Sequence, residues 1–130
     1  MEDCLFCKII EGEIPSKTIY EDEIVKVMMD INPISDGHLL VLPKKHNKDL
    51  LDLDDETALH IKKIIVEILI PKFKNKLNCE GVTICQNNGL GQEIKHFHVH
   101  LIPRYENDNI NMNSKENIEN LEEIYNKLMD

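Results

Sequence analysis

Hydrophobic positions along this chain repeat with two different periods, and each period predicts a different element. Ile61, Ile64, Ile65 and Ile68 recur at three- and four-residue spacing, which marks one face of a helix. That helix is expected over 52–77, with Asp54 or Asp55 capping its start. Pro71 should kink or end it, because its ring and missing N–H break the helical ladder. Elsewhere the apolar residues come in short, β-rich runs. Residues 18–23 read as a strand entering a turn, and 24–29 and 38–42 as buried strands, the second stopped by Pro43. Residues 82–86 read as another strand, and 97–102 as a fifth. Residues 5–10 form a short apolar segment followed by a turn, and 32–37 and 87–92 are loops by composition. After an Asn-rich loop, 114–117 can open a final helix through Met129. Ile118, Leu121, Ile124, Tyr125 and Leu128 give it one apolar stripe. The expectation is an α+β fold: one domain over 1–130 with its core in 3–104. It has a five-stranded, mostly antiparallel sheet, a long helix packed on it and a C-terminal helix.

The last strand is unusual. His96-Phe97-His98-Val99-His100-Leu101-Ile102 alternates histidine with apolar residues, in a chain that has only six histidines. In a strand, Phe97, Val99 and Leu101 point to one face and His96, His98 and His100 to the other, with neighbours on a face roughly 6.6 Å apart. Imidazoles in such a row can supply a nucleophile, a proton donor and a metal ligand.

Composition narrows the classes. A chain of 130 residues suits one real core. No apolar run approaches the roughly 20 residues of a bilayer span, and Met1-Glu2-Asp3-Cys4 does not read as a secretory signal. A cytosolic location is expected. A net charge of −9 disfavours nucleic acid and anionic membranes as partners, since both reward basic surfaces. In a reducing compartment Cys4 and Cys7, a Cys-x-x-Cys pair, read as metal-binding or redox-active. Cys79 and Cys85 are assigned no function.

The chain resembles the histidine triad (HIT) family, whose signature is His-x-His-x-His followed by two apolar residues, here residues 96–102. The resemblance extends to Cys4-Leu5-Phe6-Cys7-Lys8-Ile9-Ile10, Glu13-Ile14-Pro15, Met29-Asp30-Ile31-Asn32-Pro33 and residues 37–46, so it covers 3–104. It is most similar to the Hint-like branch in the bacterial form that keeps the cysteine pair. This implies a HIT-like fold, a homodimer and a nucleotide substrate, an AMP or GMP derivative. The implied activity is cleavage of purine nucleoside 5′-phosphoramidates or related α-phosphate derivatives through a nucleotidyl-histidine intermediate. The alternatives are a dinucleoside polyphosphate hydrolase and a non-catalytic nucleotide-binding regulatory module.

The resemblance also assigns roles. His98 would be the nucleophile, His100 would hydrogen-bond the phosphate or the departing group, and His38 would support them. Asp30 would accept from the ribose hydroxyls, and Phe6, Ile9, Met28, Ile31 and Leu40 would line the base pocket. Asn87 or Asn88, with Gly91 and Gln92, would meet the phosphate in a glycine-rich loop, which is shorter here than in relatives. Glu93 stands where Ser or Thr is frequent, and a carboxylate there repels an anionic leaving group. Cys4, Cys7, His46 and His96 would hold a structural, tetrahedral zinc, and no catalytic metal is implied. A thioredoxin-like role does not suit this order of elements, because that motif opens a helix in a βαβ unit.

Overall fold

In a computed structural model describing residues 3–112, 114 and 120–129, the strands are β1 (Thr18–Glu21), β2 (Val25–Met29), β3 (Leu39–Pro43), β4 (Gly81–Cys85) and β5 (Val99–Arg104). They form one antiparallel sheet in the order β1-β2-β3-β5-β4. Period-two alternation gives this sheet two working faces. Val25, Val27, Leu39, Val41, Val99 and Leu101 face one way and pack on Ile61, Ile64, Ile65, Leu69 and Phe73 of the long helix. Met28, Leu40 and Leu42 face the other way and pack on Phe6, Cys7 and Ile9 of α1 (Leu5–Ile10). Every residue of β3 is buried, since both clusters meet across it.

The long helix begins at Asp54, whose carboxylate accepts from the Thr57 amide at 3.1 Å. It runs as α2 (Asp55–Ile64), a π-helical segment (Ile65–Leu69) and α3 (Ile70–Leu77). Pro71 therefore does not end it, and stands in the first turn of α3 directly after the π-helical segment. The Ile70 amide reaches back to the Ile65 carbonyl, a five-residue step. The widened turn lies just ahead of the proline, where a regular ladder would want a donor that proline lacks.

Two local devices position the elements that carry the site. Asp22 accepts from the amides of Ile24 and Val25 at 2.8 Å each and from the Tyr20 hydroxyl at 2.9 Å. It also lies 2.7 Å from His60 Nε2, so the β1–β2 turn is tied to α2. Burial pushes the Asp22 carboxyl up, but the Val25 amide, His60, the Ile24 amide and Tyr20 outweigh it and hold the group well below the usual range. His60, by sequence only a boundary residue of the helix, is thus a tertiary contact. Gly37 has φ +94°, and a Cβ there would lie 2.5 Å from Leu77 Cδ1. Only glycine turns the chain this closely into β3.

The histidine strand is displaced two residues along the chain from its expected span of 97–102 to 99–104, at the same length. Regular pairing starts at Val99, opposite Val41, so His96 and His98 sit on its extended approach. β3 continues two residues past Val41, but the approach to β5 spends its groups elsewhere: His96 Nε2 takes the Pro43 carbonyl and the Phe97 amide donates to Asn47 O. The alternation nonetheless holds: Phe97, Val99 and Leu101 are core. The final helix, α4 (Leu121–Met129), has no buried residue. The expected helix start at 115–117 and Ile118 lie outside the described residues.

Candidate active site and metal cluster

Cys4, Cys7, His46 and His96 come together although 92 residues separate the first from the last. Their Sγ and ring-nitrogen atoms all lie within 4.8 Å of one another. Cys7 Sγ is 3.3 Å from His46 Nδ1 and 3.6 Å from His96 Nδ1, and Cys4 Sγ is 3.5 Å from His96 Nδ1. The donor set fits a closed zinc site of two thiolates and two imidazoles. His96 is fully buried, and its Nε2–H donates to the Pro43 carbonyl at 2.8 Å, which leaves Nδ1 as a lone pair aimed at both sulfurs. Metal-binding histidines are held by such an outer hydrogen bond. Burial and the neighbouring Cys4 push the Cys7 thiol up to about 11, so a cation is what would let this thiol ionise in place.

Two residues on, His98 Nδ1–H donates to the backbone oxygen of His96 at 2.7 Å. A neutral His98 then carries its lone pair on Nε2, the nucleophilic form. A second set of contacts fixes His100. The Ile34 amide donates to His38 Nδ1 at 3.0 Å, so neutral His38 holds its proton on Nε2. That Nε2–H donates to His100 Nδ1 at 2.9 Å, which leaves Nε2–H as the free edge of His100. Burial pushes His100 down to about 4, and the neighbouring His98 and His38 add to the shift. His38 is lowered by burial too, against the pull of Asp30. Asp30 Oδ2 lies 3.5 Å from His38 Nε2. Asp30, His38 and His100 could be mistaken for a second metal site. A metal on His38 Nε2 would have to displace the ring's only proton, so this group works as a hydrogen-bond relay.

The relay opens on a cavity of about 590 Å³, ample for a nucleotide. Of the residues singled out by sequence, Phe6, Ile9, Met28 and Leu40 line it as an apolar wall. Asp30, Ile31, His38, Asn87, Gly91, His98 and His100 line it too. Gln92 does not. Its side chain is buried, accepts from the Gly89 amide at 3.2 Å and donates to the Lys48 carbonyl at 2.6 Å, bracing the glycine loop from behind. Asn88 also turns away, with Oδ1 accepting from the Leu50 amide at 2.8 Å. Sequence reasoning missed Lys17, Ile14 and Ile94 on the cavity wall. It also missed the backbone partners at Ile34 and Pro43, which no side-chain pattern announces. Glu93 lines the cavity and enters none of the ion pairs among the described residues.

Comparison with known proteins agrees with this geometry. Residues 11–107 match the family model described as HIT domain. An uncharacterized HIT-like protein of Methanocaldococcus jannaschii is 51% identical over 110 residues, covering 81% of each chain. Adenosine 5′-monophosphoramidase of Candida albicans is 38% identical over 106 residues, covering 78% of this chain and 70% of the relative. A HIT family protein from Bacillus anthracis has the same fold at TM-score 0.82 and 40% identity, covering 98% of this chain and 96% of that one. A zinc-bound histidine triad protein from Mycobacterium smegmatis gives TM-score 0.78 and 33% identity, covering 89% and 85%. The histidine strand, the antiparallel sheet and the matched domain make this chain a member of the HIT family.

Proposed function

We propose that the protein is a nucleotide hydrolase that cleaves nucleoside 5′-phosphoramidates, purines preferred, with His98 as nucleophile. The observation that carries this reading is the 2.7 Å bond from His98 Nδ1–H to the His96 carbonyl. It leaves the neutral imidazole with its lone pair on the side that meets the cavity. His98 Nε2 attacks the α-phosphorus, the P–N bond breaks, and an amine departs. Water then displaces His98 from phosphorus and releases the nucleoside monophosphate. Overall one water adds across the P–N bond: phosphorus keeps the hydroxyl and the amine keeps the proton. His100 Nε2–H is the donor facing the phosphate oxygens or the departing nitrogen, and His38 holds it there. Asp30 suits the ribose hydroxyls, the Phe6–Leu40 wall the base, and Asn87 with Gly91 the phosphate.

Zinc, when bound by Cys4, Cys7, His46 and His96, supplies structural cross-linking, and the reaction steps belong to the protein's own side chains. The unpaired Glu93 carboxylate favours an amine over an anion as leaving group. The kinship with a yeast phosphoramidase supports the same class. The proposal includes a cytoplasmic homodimer. Its support is that β4 is an edge strand, with Ile84 52% exposed. The deciding experiment measures AMP release from adenosine 5′-phosphoramidate by wild type and His98→Ala. Release by the first and loss in the second sustain the reading. No release by wild type that still binds AMP would replace it with a nucleotide-sensing role.

A further inference from the structure

We propose that metal occupancy of the Cys4–Cys7–His46–His96 cluster and nucleotide occupancy of the cavity are thermodynamically linked, each tightening the other. The inference rests on the nucleotide reading above, and it assigns to α1 and to the backbone of His96 the work of coupling the two sites.

The first coupler is α1. It is six residues long, far too short to hold itself together in water. Its own cap is a thiol, with Cys4 Sγ accepting from the Cys7 amide at 3.4 Å. The single turn that carries Cys7 also carries the cavity wall, because Leu5, Phe6 and Ile9 all line the cavity. Cys4 and Cys7 meet His46 and His96, while Phe6 stands edge-on to the His98 ring with centroids 5.0 Å apart and to His96 at 5.9 Å. A metal that fixes both sulfurs fixes the orientation of the turn, and so fixes the base-facing wall and the ring packed on the nucleophile. A base stacked against Phe6 and Ile9 holds the same turn from its other side.

The second coupler is His96. Its ring belongs to the metal cluster, and its backbone oxygen accepts the His98 Nδ1–H bond at 2.7 Å. The ring is clamped between the two sulfurs and the Pro43 carbonyl. Release of the ring from the sulfurs frees the peptide that selects the nucleophile's tautomer. Whichever ligand binds first bears the cost of ordering α1 and residue 96, and the second binds to a site already ordered. Linkage makes the effect reciprocal, with an expected factor of about fivefold or more.

The test starts from zinc-loaded protein, so it does not depend on the stripped chain remaining folded. A chromophoric chelator competes for the zinc with and without saturating AMP, and calorimetry on the loaded protein measures AMP binding. AMP is expected to tighten zinc by about fivefold or more. Equal zinc partition with and without bound AMP overturns the linkage and leaves the nucleotide reading standing. Failure of the loaded protein to bind AMP overturns both.

Discussion

Replacing His38 separates the two jobs that one buried ring performs. His38 is 2% exposed and makes bonds of 3.0 Å to the Ile34 amide and 2.9 Å to His100 Nδ1. His38→Ala orphans the Ile34 amide, which costs about 1–3 kcal/mol, and opens a void in a packed site, so the total loss should be about 2–4 kcal/mol. For a chain of this size the unfolding temperature should drop by roughly 6–16 °C. The kinetic effect has another origin. Without a donor on its Nδ1, His100 can take its proton there, and its cavity-facing Nε2 ceases to donate. Acid–base positioning is worth about 10²–10⁴ in rate, so kcat should fall by about 10² while KM changes much less. His38→Asn divides the two losses. Its Oδ1 can take over the short-range bond from the Ile34 amide, four residues back in the same turn, but the side chain is too short for His100. Most of the stability should return and the activity should not. The assays are AMP release from adenosine 5′-phosphoramidate and thermal unfolding by circular dichroism. A His38→Asn enzyme with near wild-type kcat would refute the relay.

Four further outcomes are expected. His98→Ala should abolish turnover yet bind AMP within a few-fold of wild type by calorimetry, since it removes a reacting atom and leaves the Phe6–Leu40 wall. Glu93→Ser should raise kcat/KM for an adenylate with an anionic leaving group relative to the phosphoramidate, and an unchanged ratio would remove Glu93 from the specificity argument. Burial and neighbouring histidines hold His100 near 4, well below its ordinary 6.5. Between those values the unfolded chain binds the proton first, so stability is full above pH 6.5 and declines as pH falls toward 4. Thermal scans across that interval should slope less steeply for His100→Asn. Gly37→Ala should unfold at a markedly lower temperature, because a Cβ at φ +94° meets Leu77 at 2.5 Å and Pro103 at 3.2 Å.

What could be read from the chain was whatever depends on periodicity or on side-chain chemistry. Phe97, Val99 and Leu101 were legible as core because period two admits no other face for them. Ile61, Ile64 and Ile65 were legible as the buried helical stripe for the same kind of reason. The gathering of Cys4, Cys7, His46 and His96 came from resemblance, since spacing alone does not bring positions 92 residues apart together. Features governed by backbone partners stayed hidden. The start of β5 at Val99 goes with the claims that His96 makes on the Pro43 carbonyl and the Phe97 amide on Asn47. Gln92 looked like a phosphate contact by type and place. Its amide is instead consumed by Gly89 and Lys48, a choice made by loop geometry. The tie between His60 and Asp22 joins positions 38 apart, beyond any local pattern.

The π-helical segment gives the long helix one residue of slack. A π turn uses about one residue more than an α turn for the same rotation, so Ile65–Leu69 delivers α3 to the sheet with Phe73 still facing the core. Deleting the exposed Glu67 would therefore keep the core stripe in phase, whereas the same deletion inside α2 would rotate every later side chain off it. The shortened helix, however, would set the Pro71 ring against a carbonyl that the wide turn now moves aside. Length and composition are thus coupled here: loss of residue 67 should be tolerated together with Pro71→Ala and damaging without it. In a gene prone to small insertions and deletions, such a segment confines a frame-preserving change of length to one turn of helix and spares both cores on either side of β3.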